Sequence, residues 1–191
     1  MKDELAAYYV RRGAFLTGHF ELTGGGSSDF YIDGRLIATY PPALRLIAAE
    51  YARLIAEHDL LPEDATLVGP ALGAVPIATA LALELDRPFV IDRGKAKGHG
   101  RGRRFEGSFG DGPRCLIVED LITVGSTLQD TVRALREDGR EVDTALVTVD
   151  RQEGGPEALA AMNVEVRSLL TQADLRARAG VDALDGRWND Q

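Results

Sequence analysis

Short apolar runs alternate with segments of helical periodicity over most of the chain after residue 65. The apolar runs are TLVGP (66–70), PFVID (88–92), RCLIVED (114–120), VDTALVTVD (142–150) and VEVRSLL (164–170). The helical segments between them are 74–85, 126–139 and 157–162. Runs of this length without polar alternation are typical of strands that are buried on both faces. The pattern therefore predicts an α/β fold with a mainly parallel central sheet flanked by helices.

The first third of the chain follows a different pattern. Residues 41–58 have helical spacing and begin with two prolines, which a helix accepts in its first turn. Residues 19–35 are typical of two extended pieces around a glycine-rich turn. We interpret residues 1–40 as a small N-terminal hood on a core at 60–175, within a single domain, 1–191.

Composition and charge argue against several classes of protein. The net charge of −8 at pH 7 speaks against a general nucleic-acid binder. No uninterrupted apolar run reaches about 18 residues, so we expect no membrane partner. The first residues are typical of an amphipathic helix and lack the apolar region of a signal peptide. The single cysteine, Cys115, lies within an apolar run and fits a cytoplasmic location.

The stretch VEDLITVGST (118–127) combines two carboxylates with a small, hydroxyl-rich turn. Glu119 and Asp120 close a predicted strand, and ligands of a parallel sheet collect at the carboxyl ends of its strands. Residues 123–127 lead into a predicted helix, whose free backbone N–H groups favour a phosphate. The carboxylates would accept hydrogen bonds from a sugar, and the neighbouring turn would hold its phosphate. The alternative is an acidic turn of no special purpose.

Positive charge is concentrated in RGKAKGHGRGRR (93–104), where six of twelve residues are Lys or Arg and four are Gly. A glycine-rich cationic segment suits a diphosphate leaving group, whose charge grows as its bond breaks. The alternatives are a solvated surface loop and a contact with nucleic acid. His99, in the middle of the segment, is weak evidence when taken alone.

VEDLITVGST resembles the phosphoribosyl-pyrophosphate (PRPP) motif of the type I phosphoribosyltransferases. The resemblance implies the type I phosphoribosyltransferase fold, with Glu119 and Asp120 bound to the ribose hydroxyls. It implies that the 5′-phosphate is bound by the loop Thr123, Val124, Gly125, Ser126 and Thr127. The motif does not identify the base that receives the phosphoribosyl group.

DRGKAKGHGRGRRFEG resembles the loop of orotate phosphoribosyltransferases, in which R-K-x-x-K-x-H-G is followed by an EG pair. The matching residues are Arg93, Lys97, His99, Gly100, Glu106 and Gly107. The resemblance implies that Arg93, Lys97 and His99 bind PRPP and, with Asp120, act in catalysis. It also implies a homodimer in which the 93–107 loop of each subunit reaches the neighbouring site.

VDRQEGG (149–155) resembles the orotate site of the same family, with Arg151 as the group that grips the orotate carboxylate. Thr123 is implied to contact orotate as well. FELTGGGSSDFYIDGR resembles the segment that surrounds the base, where Phe30 and Tyr31 are candidates to stack on the pyrimidine ring. Either aromatic ring could equally belong to the hydrophobic core. The alternative for Arg151 is a surface arginine at a strand end.

The sequence departs from the family pattern at three lysine positions. They are occupied here by Thr23, Gly73 and Gly94. The candidates to replace the missing charge are Lys95, Arg101, Arg103 and Arg104. These departures put the catalytic rate in question more than the fold.

The resemblance implies an enzyme that converts orotate and PRPP to orotidine 5′-monophosphate and pyrophosphate in pyrimidine biosynthesis. Mg²⁺ is implied as the cofactor, bound mainly through the substrate and with Asp120 as a candidate ligand. Two alternatives stay open: a phosphoribosyltransferase for another base, and a non-catalytic regulator that binds PRPP.

Overall fold

The computed structural model describes residues 1–21, 26–94 and 103–184, with side chains up to residue 180. The helices in these ranges are α1 (Lys2–Arg11), α2 (Gly34–Ala38), α3 (Pro41–His58), α4 (Ala74–Leu85), α5 (Ser126–Glu137), α6 (Gly155–Ala160) and α7 (Gln172–Leu184). The strands are β1 (Phe15–Glu21), β2 (Ser27–Ile32), β3 (Thr66–Pro70), β4 (Phe89–Asp92), β5 (Phe105–Glu106), β6 (Cys115–Ile122), β7 (Thr144–Asp150) and β8 (Glu165–Thr171).

Within the described ranges, the central sheet has the strand order β5-β4-β3-β6-β7-β8. Neighbouring strands run parallel except β4 and β5, which are antiparallel. The predicted mainly parallel sheet is therefore confirmed, and each predicted apolar run overlaps a strand. Because β4 and β6 lie on opposite sides of β3, a crevice opens at the carboxyl ends of β3 and β6.

Apolar side chains cover both faces of this sheet, since successive residues of a strand point to opposite sides. In β6, Leu116 and Val118 join the cluster that includes residues of α1, α3 and α4. Ile117, between them, joins the cluster beneath α5 and α6. All three side chains are buried. Burial on both faces explains why the strand sequences lack polar alternation.

β1 and β2 form a separate antiparallel pair, which with α1 and α2 makes up the segment interpreted as a hood. α2 brings Gly34 against the end of β6 at Asp120. The first helix also contacts the last one, through ion pairs Lys2–Asp174 at 2.9 Å and Arg178–Asp3 at 3.1 Å. The N-terminal segment is thus fixed to the core at the sheet edge where the crevice opens.

Three elements were not predicted from the sequence: α2, β5 and α7. α2 has five residues and β5 has two, and segments this short leave no periodicity to detect. The helix predicted at 157–162 begins earlier, at Gly155, and has a proline in its first turn. In the part of the chain that the structure describes, no helix combines the length and apolar character needed to cross a lipid bilayer.

Candidate active site

The carboxylate pair Glu119 and Asp120 lies near the carboxyl end of β6, where the crevice opens. Glu119 is only 6% exposed, whereas Asp120 is half-buried. Two glycines leave room for the Asp120 carboxylate. A Cβ built on Gly34 would lie 2.7 Å from Asp120 Oδ2, and one built on Gly73 would overlap the same atom. The hood, the β3–α4 turn and β6 therefore meet at this carboxylate.

Burial dominates the electrostatics of the pair. It raises the pKa of Glu119 well above its usual value of 4.5, and the negative charge of Asp120 adds to the shift. Burial also raises the pKa of Asp120, although the hydrogen bond with Glu119 opposes that rise. The Asp120 N–H donates to Glu119 Oε1 at 3.1 Å. Two adjacent buried carboxyl groups favour protonation of one of them until a ligand supplies hydrogen-bond donors, as sugar hydroxyls do.

Buried hydroxyl groups hold the backbone behind the pair in place. Tyr51 OH and Thr148 Oγ1 are hydrogen-bonded at 2.9 Å, and Thr148 Oγ1 donates to the Glu119 carbonyl at 3.4 Å. This contact joins α3 and β7 to β6. Sequence reasoning missed both residues because each occupies a regular core position in a helix or strand.

Residues 123–125 connect β6 to α5, and the predicted phosphate loop continues into the first two residues of that helix, Ser126 and Thr127. Gly125 has a φ of 79°, and a Cβ there would lie 2.8 Å from Leu159 Cδ2, so the turn requires glycine. Ser126 and Thr127 are exposed on the first turn of α5. Among the described residues, no side chain caps this helix start. Its free N–H groups and the two hydroxyls can receive an anion.

Arg151 directly follows β7, the strand beside β6, and its N–H donates to the Ile122 carbonyl at 3.0 Å. Its side chain is 10% exposed, and its guanidinium carbon lies 4.6 Å from the centre of the Phe30 ring. Its Nε and NH2 bond to Glu153 Oε1 at 2.9 and 2.8 Å. Arg151 is therefore not a free surface arginine, and Glu153 demonstrates that a carboxylate can reach its guanidinium.

The two aromatic candidates have different environments. Phe30 is 8% exposed and belongs to the hydrophobic core, and the guanidinium carbons of Arg151 and Arg176 lie 4.6 and 5.1 Å from the centre of its ring. Tyr31 is 38% exposed, and its ring centre lies 5.8 Å from that of Phe20. Phe30 therefore packs against the Arg151 guanidinium, and Tyr31 is the ring that is accessible to a ligand.

Arg35 adds a positive charge beside the carboxylate pair, and sequence reasoning missed it. The Arg35 backbone N–H and Nε both donate to Asp33 Oδ1, at 3.1 and 3.3 Å. The charge of the guanidinium acts to lower the pKa of Asp120 against the effect of burial. The sequence Asp-Gly-Arg (33–35) could have indicated the start of a helix after the strand, because Asp is a preferred residue at a helix N-cap. Arg35 would then lie in the first turn of that helix.

The described ends of the cationic segment are held by ion pairs. Arg93 NH1 contacts Glu106 Oε1 at 2.8 Å. Arg104 binds Asp92 at 2.7 Å and Asp130 at 2.8 Å, so its charge is already used within the fold and does not replace a missing lysine. Six residues named in the sequence analysis lie outside the described ranges: Thr23, Lys95, Lys97, His99, Gly100 and Arg101.

The carboxylates of this site fit a metal ion that arrives with its ligand. Within residues 1–21, 26–94 and 103–180, no three His, Cys, Asp or Glu side chains are grouped so as to hold a metal. Mg²⁺ with a diphosphate needs only one or two protein carboxylates. Asp120, the more exposed member of the pair, is the carboxylate that fits this coordination.

Known proteins share this arrangement of elements. The family model for the phosphoribosyl transferase domain matches residues 42–167. The orotate phosphoribosyltransferase of Halobacterium salinarum is 44% identical over 91% of this chain and 95% of its own length. That of Pyrococcus furiosus is 44% identical over 96% of this chain and all of its own. The crystal structure of orotate phosphoribosyltransferase from Aeropyrum pernix has a TM-score of 0.77 at 30% identity, covering 94% of this chain and 99% of that one.

Proposed function

This chain belongs to the phosphoribosyltransferase family, and on that premise we propose that it is an orotate phosphoribosyltransferase. It transfers the phosphoribosyl group of PRPP to orotate, giving orotidine 5′-monophosphate and pyrophosphate in pyrimidine biosynthesis. The main support for the proposal is that Arg151 directly follows β7, which pairs with β6, the strand that holds Glu119 and Asp120 near its carboxyl end. A carboxylate-bearing base and a ribose phosphate would thus bind side by side.

The reaction requires alignment more than covalent participation by the protein. A ring nitrogen of orotate attacks C1 of the ribose while the diphosphate leaves, through an oxocarbenium-like state. Glu119 and Asp120 accept hydrogen bonds from the ribose hydroxyls, and Thr123–Thr127 bind the 5′-phosphate. Held at both ends, the ribose presents C1 to the nucleophile in a fixed orientation.

The orotate ring is oriented by groups from the hood and from β7. Arg151 forms a bidentate contact with the orotate carboxylate and exchanges its present partner, Glu153, for the ligand. Thr123 contacts the base from the PRPP loop. Tyr31 stacks on the ring, while the buried Phe30 keeps the Arg151 guanidinium in position.

The departing diphosphate is stabilised by cations. Arg93, Lys97 and His99 supply them from the 93–104 segment, and Arg35 adds charge from the hood. When bound, Mg²⁺ would neutralise diphosphate charge, with Asp120 as its candidate protein ligand. Groups that bind charge which develops in the transition state raise the rate of the chemical step.

A homodimer agrees with the surface of α4. Ten of the twelve residues of that helix are apolar, the exceptions being Thr79 and Glu84, and such a composition is typical of a helix that is largely buried. Leu83 on α4 and Leu72 in the preceding turn are nevertheless exposed. A second copy of the chain would cover them, and the 93–107 loop of each subunit would then reach its neighbour's site.

A cytoplasmic location agrees with the state of Cys115, the chain's one cysteine. Its thiol is free and buried. Burial raises the pKa of this thiol to about 11, so it remains protonated and unreactive at neutral pH.

The direct test is consumption of orotate, followed by its ultraviolet absorbance, with purified protein, PRPP and Mg²⁺. We expect a loss of absorbance that requires all three components. A protein that binds PRPP but consumes no orotate would contradict the proposal. Turnover of uracil or a purine would then indicate another base, and binding without any turnover would indicate the regulator.

A further inference from the structure

Asp92, the last residue of β4, is a buried charge that the steps above do not use. It is 1% exposed, yet four hydrogen bonds satisfy its carboxylate. Oδ1 accepts from Arg104 Nε at 2.7 Å and from the Gly94 N–H at 2.9 Å. Oδ2 accepts from Arg104 NH2 at 2.8 Å and from Thr131 Oγ1 at 2.7 Å.

These partners keep the carboxylate ionised. Burial alone would raise the pKa of Asp92, but the hydrogen bonds from Arg104, Gly94 and Thr131 together lower it below its usual value. The contact with Arg104 is bidentate, so it fixes orientation as well as distance. A buried charge paired in this way holds its surroundings in one geometry, because leaving either partner unpaired is costly.

The four bonds join three parts of the chain. Gly94 lies at the start of the cationic segment 93–104 and Arg104 is its last residue, so one carboxylate holds both ends. The Arg93 N–H also donates to the Arg104 carbonyl at 3.1 Å. Thr131 belongs to α5, the helix whose first turn follows the phosphate loop.

Arg104 makes a second connection to the same helix. Its NH2 contacts Asp130 at 2.8 Å, while the Asp130 carboxylate is largely exposed. The guanidinium therefore bridges a buried carboxylate on β4 and a surface carboxylate on α5. The ends of the cationic segment and α5 are held in one relative position.

We propose that Asp92 and Arg104 are positioning residues for phosphoribosyl transfer, which fix the ends of the 93–104 segment relative to the phosphate-binding start of α5. The inference rests on the proposed function. Neither residue touches substrate; both act through the cations that the segment carries, Arg93 and Lys97. Because a displacement of about 1 Å can cost about 10²-fold in rate, small errors at these ends matter.

The test compares Arg104→Gln, which removes the charge, with Arg104→Lys, which keeps the charge but loses the bidentate geometry. Arg114→Gln is the matched control, because Arg114 forms an exposed ion pair with Glu141 at 3.6 Å, away from the cationic segment. The measurements are kcat, KM for PRPP, the dissociation constant of orotidine 5′-monophosphate, and the thermal midpoint. The nucleotide has no diphosphate, so its binding does not depend on the cations of the segment.

We expect Arg104→Gln to lower kcat about 10- to 100-fold, with an unchanged affinity for the nucleotide. Arg104→Lys recovers part of the rate, and Arg114→Gln behaves as the wild type. An unchanged kcat in folded Arg104→Gln overturns the proposal. So does a loss of nucleotide affinity equal to the loss of kcat, since that indicates general damage to the site.

If Arg104→Gln does not fold, Thr131→Val decides. It keeps the Asp92–Arg104 pair and removes one connection to α5, so a smaller fall in kcat at constant nucleotide affinity supports the proposal, and an unchanged kcat overturns it.

If the wild type consumes no orotate, the proposed function fails separately. The positioning role is then tested by the affinities of the folded Arg104→Lys variant for PRPP and for ribose 5-phosphate. A weaker affinity for PRPP with an unchanged affinity for ribose 5-phosphate supports the role. Equal losses of affinity for the two ligands overturn it.

Discussion

The backbone at Gly73 passes so close to Asp120 that any side chain at position 73 would overlap the Asp120 carboxylate. The β3–α4 turn and the end of β6 therefore share one small volume, and the carboxylate occupies it. A lysine, which the family pattern leads one to expect at this position, would fit here only if Asp120 moved. The absence of a side chain at Gly73 therefore allows the Asp120 carboxylate to occupy its observed position.

We expect Gly73→Ala to lower kcat/KM for PRPP about 10- to 100-fold, because the added Cβ displaces Asp120 from the ribose hydroxyls. Gly73→Lys should lower it at least as much and should not improve pyrophosphate binding. Gly180→Ala is the control, since a Cβ at Gly180 meets nothing within 4 Å. Steady-state kinetics with varied PRPP would detect the difference, and wild-type kinetics for Gly73→Ala would refute this account of Asp120.

Arg151→Lys should raise KM for orotate about 10-fold or more, since a lysine cannot form the bidentate contact with a carboxylate. The change in kcat should be smaller than the change in KM. Arg53→Lys is the matched control, because Arg53 lies on α3 and pairs with Glu50 and Glu57 at the surface. An unaltered KM for orotate would remove Arg151 from the base site.

Glu119→Gln should change how stability depends on pH. The pKa of Glu119 is raised in the folded state, so the folded protein holds this proton more tightly than the unfolded chain does. The stabilisation is fully present below the unfolded value of 4.5 and is lost as pH rises through the raised pKa.

We therefore expect the melting temperature of the wild type to fall relative to Glu119→Gln as pH rises above 4.5, with the gap constant once Glu119 has ionised. The measurement is thermal unfolding without ligand across this range. Glu84→Gln, an exposed change on α4, should follow the wild type at every pH. A difference in melting temperature between the wild type and Glu119→Gln that does not vary with pH would contradict the raised pKa of Glu119.

Lys97→Ala should lower kcat about 10²- to 10³-fold while the protein remains folded, which is the usual cost of removing one group that stabilises transition-state charge. Rapid-mixing or steady-state kinetics at saturating PRPP would measure it, with circular dichroism to check the fold. A turnover number equal to that of the wild type would exclude Lys97 from the mechanism.

Mixing two inactive variants tests whether the loop acts on the neighbouring subunit. In a mixed dimer of Lys97→Ala and Asp120→Asn, a loop that reaches across leaves one site with both native residues. Random mixing should then restore about a quarter of the wild-type activity. No recovery, with subunit exchange verified by a size or mass label, would mean that each loop serves its own subunit.

The apolar runs were sufficient to predict the central sheet. TLVGP coincides with β3, and RCLIVED lies almost wholly within β6, because a strand buried on both faces must be apolar throughout. The sequence also placed Glu119, Asp120 and the Thr123–Thr127 turn at one edge of the sheet, since parallel strands end together. These predictions depend on local composition and on a general rule of topology.

Contacts between distant segments could not be predicted in this way. Phe30 and Tyr31 are adjacent and both aromatic, yet Phe30 lies in the core and Tyr31 is exposed. Strand alternation requires that they point to opposite sides, but only the packing of the hood on the core decides which side is which. The role of Arg35 likewise depends on where α2 meets β6.

The sequence by itself determined the α/β class, the order of its strands along the chain and the chemical groups at the strand ends. These follow from periodicity and from residues that are neighbours in the chain. Tertiary structure alone decided that Gly34 and Gly73 leave room for Asp120 and that Arg104 binds Asp92. It also brought Arg151 onto Phe30. The reason is physical: hydrogen bonds and close contacts act over a few ångströms in space, whatever the separation along the chain.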